Sequence, residues 1–188
     1  METFDGKLAV VTGGGAGIGR ELALQLARAG CRVALCDVSV TNHQETLAMA
    51  QADARGAVTV SSFTADVSKE EDLVAFRSHV ESAHATDRVD LLFNIAGIGG
   101  GYSLLDDTRE QWEKVFNVNW GGVYLGVRTF LPLLLRSADS RIINMSSVNG
   151  FWGGLSPTES LVAYSAAKFA VRGFSEASSP TSAFARRR

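Results

Sequence analysis

A glycine-rich turn between a strand and a helix constrains this chain most. Leu8–Thr12 is an apolar run of strand length, Thr12–Gly19 reads TGGGAGIG, and apolar residues then recur at helical spacing until Gly30, which is placed to cap the helix. Glycines at such a junction let the backbone turn sharply and approach a pyrophosphate, and the helix N-terminus offers unpaired N–H groups. The turn therefore predicts dinucleotide binding. Its key positions are Gly13, Gly17 and Gly19.

An acidic residue ends the next strand, where a ribose would lie. Asp37 comes about 20 residues after the turn, at a position where a carboxylate can accept a hydrogen bond from a ribose 2′-OH and would repel a 2′-phosphate. The turn itself contains no Lys or Arg, so the sequence predicts NAD rather than NADP. Arg20 and Arg32 keep NADP open as the less favoured cofactor. The alternative role for Asp37 is a cap at the strand end.

Strand-length runs alternate with helical segments along the chain. The predicted strands are Leu8–Thr12, Arg32–Asp37, Val58–Thr64, Val89–Asn94 and Arg141–Met145. Two capping boxes, Ser68 with Glu71 and Thr108 with Gln111, predict helix starts, and a last helix is expected from Tyr164 to Ala177. This alternation predicts an α/β fold of Rossmann type, a doubly wound parallel sheet with helices on both faces, within one domain over residues 1–177.

Composition excludes several other classes of protein. The formal net charge of −2 over 188 residues gives no field for nucleic acid or an acidic membrane. The N-terminus lacks the pattern of a signal peptide, and the apolar stretch from Val123 to Leu135 is too short to span a bilayer, so a cytoplasmic location is expected. Cys31 and Cys36 are expected to be small buried hydrophobes. The three histidines lie on polar segments and are expected to be solvated, and no metal site is predicted.

Taken together, the motifs resemble those of the short-chain dehydrogenase/reductase family. The TGGGAGIG turn looks like its cofactor signature, and Asn94–Gly97, which reads NIAG, resembles its NNAG element. Asn119, Ser147 and the pair Tyr164-x-x-x-Lys168 resemble its catalytic set. The likeness runs from about Lys7 to about Glu176. It implies an NAD-dependent oxidoreductase that interconverts a secondary alcohol and a ketone.

Tyr164 and Lys168 stand one helical turn apart, so their side chains share a helix face. A free phenol has a pKa near 10, too high for acid–base chemistry at neutral pH, and a neighbouring ammonium favours the phenolate. The resemblance implies that Tyr164 is the acid–base residue and that Lys168 also binds the nicotinamide ribose. Read alone, the pair is more typical of a protein surface. The glycine turn favours the catalytic interpretation.

Two further polar residues complete the expected catalytic set. Ser147 follows the fifth strand, at the sheet edge where ligands bind, and a hydroxyl there can stabilise developing charge on a substrate oxygen. The resemblance selects it over Ser146, for which binding to a loop amide is the better interpretation. Asn119 lies on an apolar helical stripe, so its amide needs partners if buried. The alternatives are a structural hydrogen bond and, by resemblance, a water-bridged proton relay from Lys168, and a mixture of both is expected.

The remaining cofactor contacts follow from the resemblance. Asp66 and Val67 are expected at the adenine ring, although Asp66 is equally compatible with a loop or N-cap acid. Small residues at the end of the fourth strand suit close backbone approach to the adenosine, and Asn94 can alternatively tie strands together. The further predicted cofactor contacts are Ile18, Asn94, Ala96 and Gly97.

The family pattern breaks after Ala177. The tail, residues 178–188, reads SSPTSAFARRR, and Pro180 with the serines disfavours helix, so it is expected to be disordered. The family's last strands are missing from the sequence, which predicts an exposed fifth strand and a weakened substrate side. A catalytically impaired or silent nucleotide-binding protein is therefore one alternative, and a methyltransferase is another. The expected partners are a small-molecule alcohol or ketone and, by resemblance only, a second copy of the chain.

Overall fold

The structure, a computed structural model, describes residues 3–100, 104–153 and 161–185. The chain divides into two compact units. The first unit comprises Met1–Ala96 and Leu125–Ile143, and the second comprises Gly97–Tyr124 and Asn144–Arg188. The single domain expected over residues 1–177 stays a prediction.

A five-stranded sheet in the order β3-β2-β1-β4-β5 organises the fold. Its strands are β1 Leu8–Thr12, β2 Arg32–Asp37, β3 Val60–Thr64, β4 Leu91–Asn94 and β5 Arg141–Asn144. The helices are α1 Gly17–Arg28, α2 Val40–Asp53, α3 Glu70–Ala83, α4 Arg109–Phe116, α5 Gly122–Leu134 and α6 Val162–Ala185, with a π-helical turn at Asn117–Gly121. The parallel, Rossmann-type α/β fold predicted from the sequence is confirmed.

Both faces of the sheet are covered in the first unit because its strands are apolar on both sides. Ala9 and Val11 of β1 point into a core formed with α1 and α2. On the opposite face Phe76 of α3 stacks with Phe63 of β3 and meets Phe130 of α5 edge to face, with ring centroids 5.9 Å and 5.6 Å away. Cys31 and Cys36 are buried, as expected, and burial raises the pKa of the Cys31 thiol to about 12. Neither thiol is therefore activated.

Two local expectations in the first unit are wrong or incomplete. Ser68 does not cap α3, because its hydroxyl donates to Asp66 Oδ1 at 2.7 Å and the helix begins after Lys69. Helix α2 was not predicted, since its apolar residues are weakly periodic. Its one clear signal is Ser39, whose hydroxyl accepts the N–H of Asn42 as an N-cap. By contrast, the capping box of Thr108 and Gln111 is confirmed.

The expectation that the histidines are solvated is wrong for His43 and His84, because hydroxyl groups of β3 bind them. His43 of α2 pairs with Ser62 and Thr64 at 3.0 and 2.8 Å, and His84, just after α3, pairs with Ser61 at 2.9 Å. Both rings are buried, and burial lowers the pKa of both, to about 4 for His84. Polar strand residues thus have buried polar partners, which no local pattern indicates.

In the second unit, α6 packs along α4 and the π-helical turn. The buried stripe of α6 is Ala163, Ala167 and Val171, and Phe174 meets Trp120 edge to face at 5.3 Å. The helix runs to Ala185, past Pro180 and the predicted end at Ala177. A proline removes one hydrogen bond from a helix, a local cost that does not have to end it. Residues 186–188 of the predicted tail lie outside the described residues.

The exposed edge expected at β5 is present. The strand is last in the sheet order, and the side chains of Ile142 and Ile143 are 38% and 37% exposed. Such an apolar edge can pair with a further strand. Among the described residues, no helix combines the length and apolar character needed to cross a membrane.

Candidate functional site

The glycine turn has the geometry that its sequence predicts. Gly13 has a φ of +68°, and a Cβ there would lie 2.7 Å from the Cα of Ala96. A Cβ on Gly19 would collide with the carbonyl oxygen of Gly13. Side chains are therefore excluded at both positions by backbone alone, which keeps α1 close to the end of β1.

The N-terminus of α1 carries no side-chain cap. Ala16 occupies the N-cap position, and its methyl side chain cannot accept a hydrogen bond from the first N–H groups of the helix. Gly17 has a φ of +52° and open space where a Cβ would point. Ile18 follows with 64% of its side chain exposed, although it lies in the first turn of the helix. An uncapped helix N-terminus beside open space is the arrangement that binds a phosphate.

Asp37 connects the end of β2 to the turn. Its Oδ2 accepts the N–H of Gly15 at 3.0 Å, and its Oδ1 accepts the N–H of Ser39 at 3.0 Å. The carboxylate is therefore a strand-end cap, the alternative considered above, and each oxygen still has a lone pair for a hydroxyl. Asp37 can therefore cap the strand end and bind a ribose hydroxyl at the same time.

Asp66 is engaged within its own loop. Its carboxylate accepts from the N–H and the hydroxyl of Ser68 at 3.0 and 2.7 Å, and its N–H donates to Asp72 at 2.8 Å. These bonds fit the loop-acid interpretation of its side chain. Val67 beside it is buried.

Thr12, which the sequence analysis did not single out, sets the end of β4. Its hydroxyl accepts the N–H groups of Ile95 and Ala96 at 3.1 and 3.3 Å, which holds Ala96 against Gly13. Asn94 pairs in register with Thr12 and is buried. Its Oδ1 lies where a Cβ on Gly126 of α5 would be, so the amide also fixes a helix position.

In the second unit the Tyr164–Lys168 pair lies on one face of α6. The Nζ of Lys168 is 5.5 Å from the centroid of the Tyr164 ring and donates to the carbonyl of Met145 at 2.8 Å. Lys168 is only 2% exposed and has no acidic partner among the residues that the structure describes. Burial lowers the pKa of its ammonium to about 8. A buried, unpaired lysine costs stability, which favours a chemical role.

Asn119 makes structural hydrogen bonds, which were one of the two alternatives for its amide. It is fully buried in the π-helical turn, and its Nδ2 donates to the carbonyls of Ile98 and Val115, both at 2.8 Å. Its Oδ1 has no hydrogen-bond partner within the described part of the chain. A Cβ on Gly97 would lie 2.7 Å from that Oδ1 and 3.6 Å from Lys168 Nζ. Gly97 thus leaves a small space at which an unused acceptor and an ammonium converge.

The two serines after β5 have different partners. Ser146 donates to the carbonyl of Lys168 at 3.1 Å, and Ser147 accepts the N–H of Asn149 at 3.2 Å. The loop-amide role expected for Ser146 is therefore carried by Ser147. Accepting that bond leaves the Ser147 hydroxyl proton free to donate to a ligand. Residues 154–160, in the loop that follows, lie outside the described residues.

Each unit carries features that suit one part of a nicotinamide dinucleotide. The side-chain-free turn and uncapped α1 terminus suit a pyrophosphate, and the space beside Gly97 suits a hydroxyl or a water that bonds Asn119 and Lys168. The sequence analysis did not identify the contacts of Thr12, of Arg20 with the Gly15 carbonyl, or of Lys168 with the Met145 carbonyl, because only tertiary structure reveals them.

The chain belongs to the short-chain dehydrogenase family. The family model described as short chain dehydrogenase matches residues 7–182. SadH of Mycobacterium tuberculosis, named as an oxidoreductase, is 39% identical over 177 residues, which are 94% of this chain and 61% of SadH. Human epidermal retinol dehydrogenase 2 is 35% identical over 91% of this chain and 53% of its own length. The chain thus spans less than two thirds of the length of these relatives. Its membership of this family argues against the methyltransferase alternative.

Solved structures agree with this assignment. A short-chain dehydrogenase/reductase of Burkholderia phymatum in complex with NAD matches with a TM-score of 0.84 and 35% identity, over 94% of this chain and 60% of that one. A metagenomic short-chain oxidoreductase in complex with NADP matches with a TM-score of 0.82 and 30% identity, over 95% and 77%. A nicotinamide cofactor is supported, and these two similar structures contain NAD and NADP, respectively.

Proposed function

We propose that this chain transfers a hydride between NAD(H) and a secondary alcohol or ketone. The observation that carries the proposal is Lys168, a buried ammonium without an acidic partner among the described residues, one turn from Tyr164. Structural lysines are almost never fully buried unless they are paired. The buried charge is therefore explained by what it does to the neighbouring phenol and to a ribose hydroxyl.

Tyr164 is the acid–base residue of this proposal. When bound, the nicotinamide supplies or accepts the hydride. Tyr164 donates its proton to a ketone oxygen in the reducing direction and takes the alcohol proton in the oxidising direction. Lys168 stabilises the phenolate by its charge, and the Ser147 hydroxyl donates a hydrogen bond to the substrate oxygen without transferring its proton.

Asn119 supplies the acceptor of a proton relay. Its Oδ1, which has no hydrogen-bond partner among residues 3–100, 104–153 and 161–185, and the Nζ of Lys168 flank the space beside Gly97. A water there would accept from the ammonium and donate to the amide oxygen, satisfying a buried group that otherwise costs free energy. The same water would return a proton to Lys168 and, through Lys168, to the phenolate of Tyr164.

Two observations support NAD over NADP. Asp37 is held at the strand end by the N–H groups of Gly15 and Ser39, with lone pairs left for ribose hydroxyls. Arg20, the cation beside the turn, is already paired, and Arg32 lies at the opposite end of β2 from Asp37. Arg20 binds the Gly15 carbonyl and Glu45, and Arg32 donates to the carbonyl of His84.

The remaining parts of the proposal rest on the family resemblance. Gly13, Gly17, Ile18 and Gly19 are assigned to the pyrophosphate, Asp66 and Val67 to the adenine, and Asn94, Ala96 and Gly97 to the adenosine and ribose side. The substrate is a small alcohol or ketone, and two copies of the chain pair through their long helices.

The Tyr164→Phe variant tests the function. Titration calorimetry with NAD⁺ should give a Kd within about twofold of the parent chain, while turnover of a panel of secondary alcohols and ketones, followed by nicotinamide absorbance, falls at least 100-fold. Tyr124→Phe, the same change at a partly exposed tyrosine of the same unit, is the control and should keep full turnover. If the parent chain binds NAD⁺ and converts no member of the panel, the silent nucleotide-binding alternative replaces this proposal.

A further inference from the structure

The polar groups of Gly15, in the middle of the glycine turn, are both held by side chains. Its N–H donates to Asp37 Oδ2 at 3.0 Å. Its carbonyl accepts Arg20 Nη2 at 2.7 Å, Arg20 Nε at 3.0 Å and the Thr46 hydroxyl at 3.3 Å. A Cβ on Gly15 would lie 2.7 Å from the Asp37 carboxyl carbon. The turn is therefore fixed on one side by an acid and on the other by a guanidinium.

Glu45 is the acidic partner of that guanidinium, which also donates to the Thr46 hydroxyl at 3.0 Å and to the Asn42 carbonyl at 3.5 Å. Its Oε2 binds Arg20 Nη2 at 2.7 Å, so an ion pair between α2 and α1 orients the side chain that grips the turn. The Arg20 side chain is 24% exposed, whereas that of Glu45 is 58% exposed. An exposed pair of this kind contributes little to global stability. The geometry of the ion pair instead decides where the Arg20 guanidinium points.

We propose that Glu45 is a specificity-determining residue that keeps Arg20 neutralised and on the Gly15 carbonyl, and so excludes NADP. A 2′-phosphate adds close to two negative charges beside the Asp37 carboxylate. An unpaired Arg20 would offset that repulsion, because its guanidinium binds phosphate oxygens well. With Glu45 in place, the positive charge of Arg20 is already balanced. The inference rests on the proposed NAD preference and extends it to a residue outside the glycine turn and the strand end.

The chain supplies a matched control on the same two helices. Asp53 of α2 binds Arg28 of α1 at 2.6 Å, which is another exposed ion pair between α2 and α1. Glu45→Gln and Asp53→Asn both remove one negative charge from α2 and keep side-chain size. Only Glu45→Gln removes the acidic partner of a cation, Arg20, that contacts the glycine turn. A general charge effect would act in both variants.

The experiment is titration calorimetry of the full chain with NAD⁺ and with NADP⁺, and the readout is the ratio of their Kd values. Glu45→Gln should shift that ratio toward NADP⁺ about 5- to 10-fold, and the gain should shrink in high salt. Asp53→Asn should change the ratio less than twofold. The double variant Glu45→Gln/Arg20→Gln should lose the gain, since the cation responsible is gone. Thermal unfolding should show both single variants folded, with unfolding midpoints close to that of the parent.

The outcomes separate this inference from the function on which it rests. A parent chain that prefers NAD⁺, with an unchanged ratio in folded Glu45→Gln, overturns the role of Glu45 alone. An equal shift in Asp53→Asn, or a gain that persists without Arg20, does the same. A parent chain that binds neither nucleotide, or that prefers NADP⁺, overturns the NAD assignment together with the inference.

Discussion

Lys168 donates a 2.8 Å hydrogen bond to the carbonyl of Met145, and this contact ties the middle of α6 to the residue that follows β5. The carbonyl satisfies one of three ammonium donors and brings no negative charge. The lysine is thus fixed in position while the cost of its burial remains. The other donors stay available on the side where Asn119 and Gly97 lie.

Replacing this lysine should stabilise the protein while it removes activity. Burial lowers the pKa of Lys168 to about 8 from an ordinary value of 10.5, so the unfolded chain binds more protons between these values and stability rises with pH there. Lys168→Met should raise the free energy of unfolding by about 1 to 2 kcal/mol at pH 7 and by less at pH 10.5. Urea unfolding at both pH values measures this. Lys114→Met, at an exposed lysine of α4, should show no such pH-dependent gain.

Acid should destabilise the first unit through His84. Its pKa is lowered to about 4 from 6.5 by burial, Arg32 and His79, so the neutral ring is the folded form. Stability is fully present above pH 6.5 and is lost as the pH falls toward 4, by roughly 2 to 3 kcal/mol for this group. His84→Gln, which can still bond Ser61, should flatten that slope in urea unfolding across the range. An unchanged slope would assign the acid sensitivity to other groups, His43 first.

Filling the space beside Gly97 should impair the site. In Gly97→Ala the new methyl would lie 2.7 Å from Asn119 Oδ1 and 3.6 Å from Lys168 Nζ, so one of them must move. We expect NAD⁺ affinity to fall about tenfold or more and the free energy of unfolding to fall by about 1 to 3 kcal/mol. Titration calorimetry checks the first and urea unfolding the second. Gly99→Ala, two residues on in open space, is the control and should bind NAD⁺ normally.

Thr12 should matter for its hydroxyl rather than its shape. Thr12→Val keeps the volume but leaves the N–H groups of Ile95 and Ala96 without their acceptor, which should cost about 1 to 3 kcal/mol for each group left buried and unpaired. Thr12→Ser retains the acceptor and should cost less than half as much. Equal losses in the two variants, measured by urea unfolding, would show that the methyl group rather than the hydroxyl holds this junction.

Much of the fold could be predicted because its signals are local. The bounds of β1 and β2 match the sequence prediction, and the glycine turn lies where strand and helix patterns meet. The errors arise where tertiary contacts override local pattern. Ser68 binds Asp66 instead of capping α3, and His43 is buried where hydroxyl groups of β3 pair with its ring nitrogens.

The sequence by itself determined the family, the sheet of parallel strands and the residue types of the candidate site, because periodicity, glycine positions and the Tyr164–Lys168 spacing are properties of neighbours along the chain. Only the tertiary structure decided which of these groups have partners. It buries Lys168 without an acid among the described residues, leaves Asn119 Oδ1 without a hydrogen bond, and places Arg20 on the carbonyl of Gly15. Burial and pairing depend on residues far apart in sequence, and they set the charge and the proton affinity that the proposed chemistry uses.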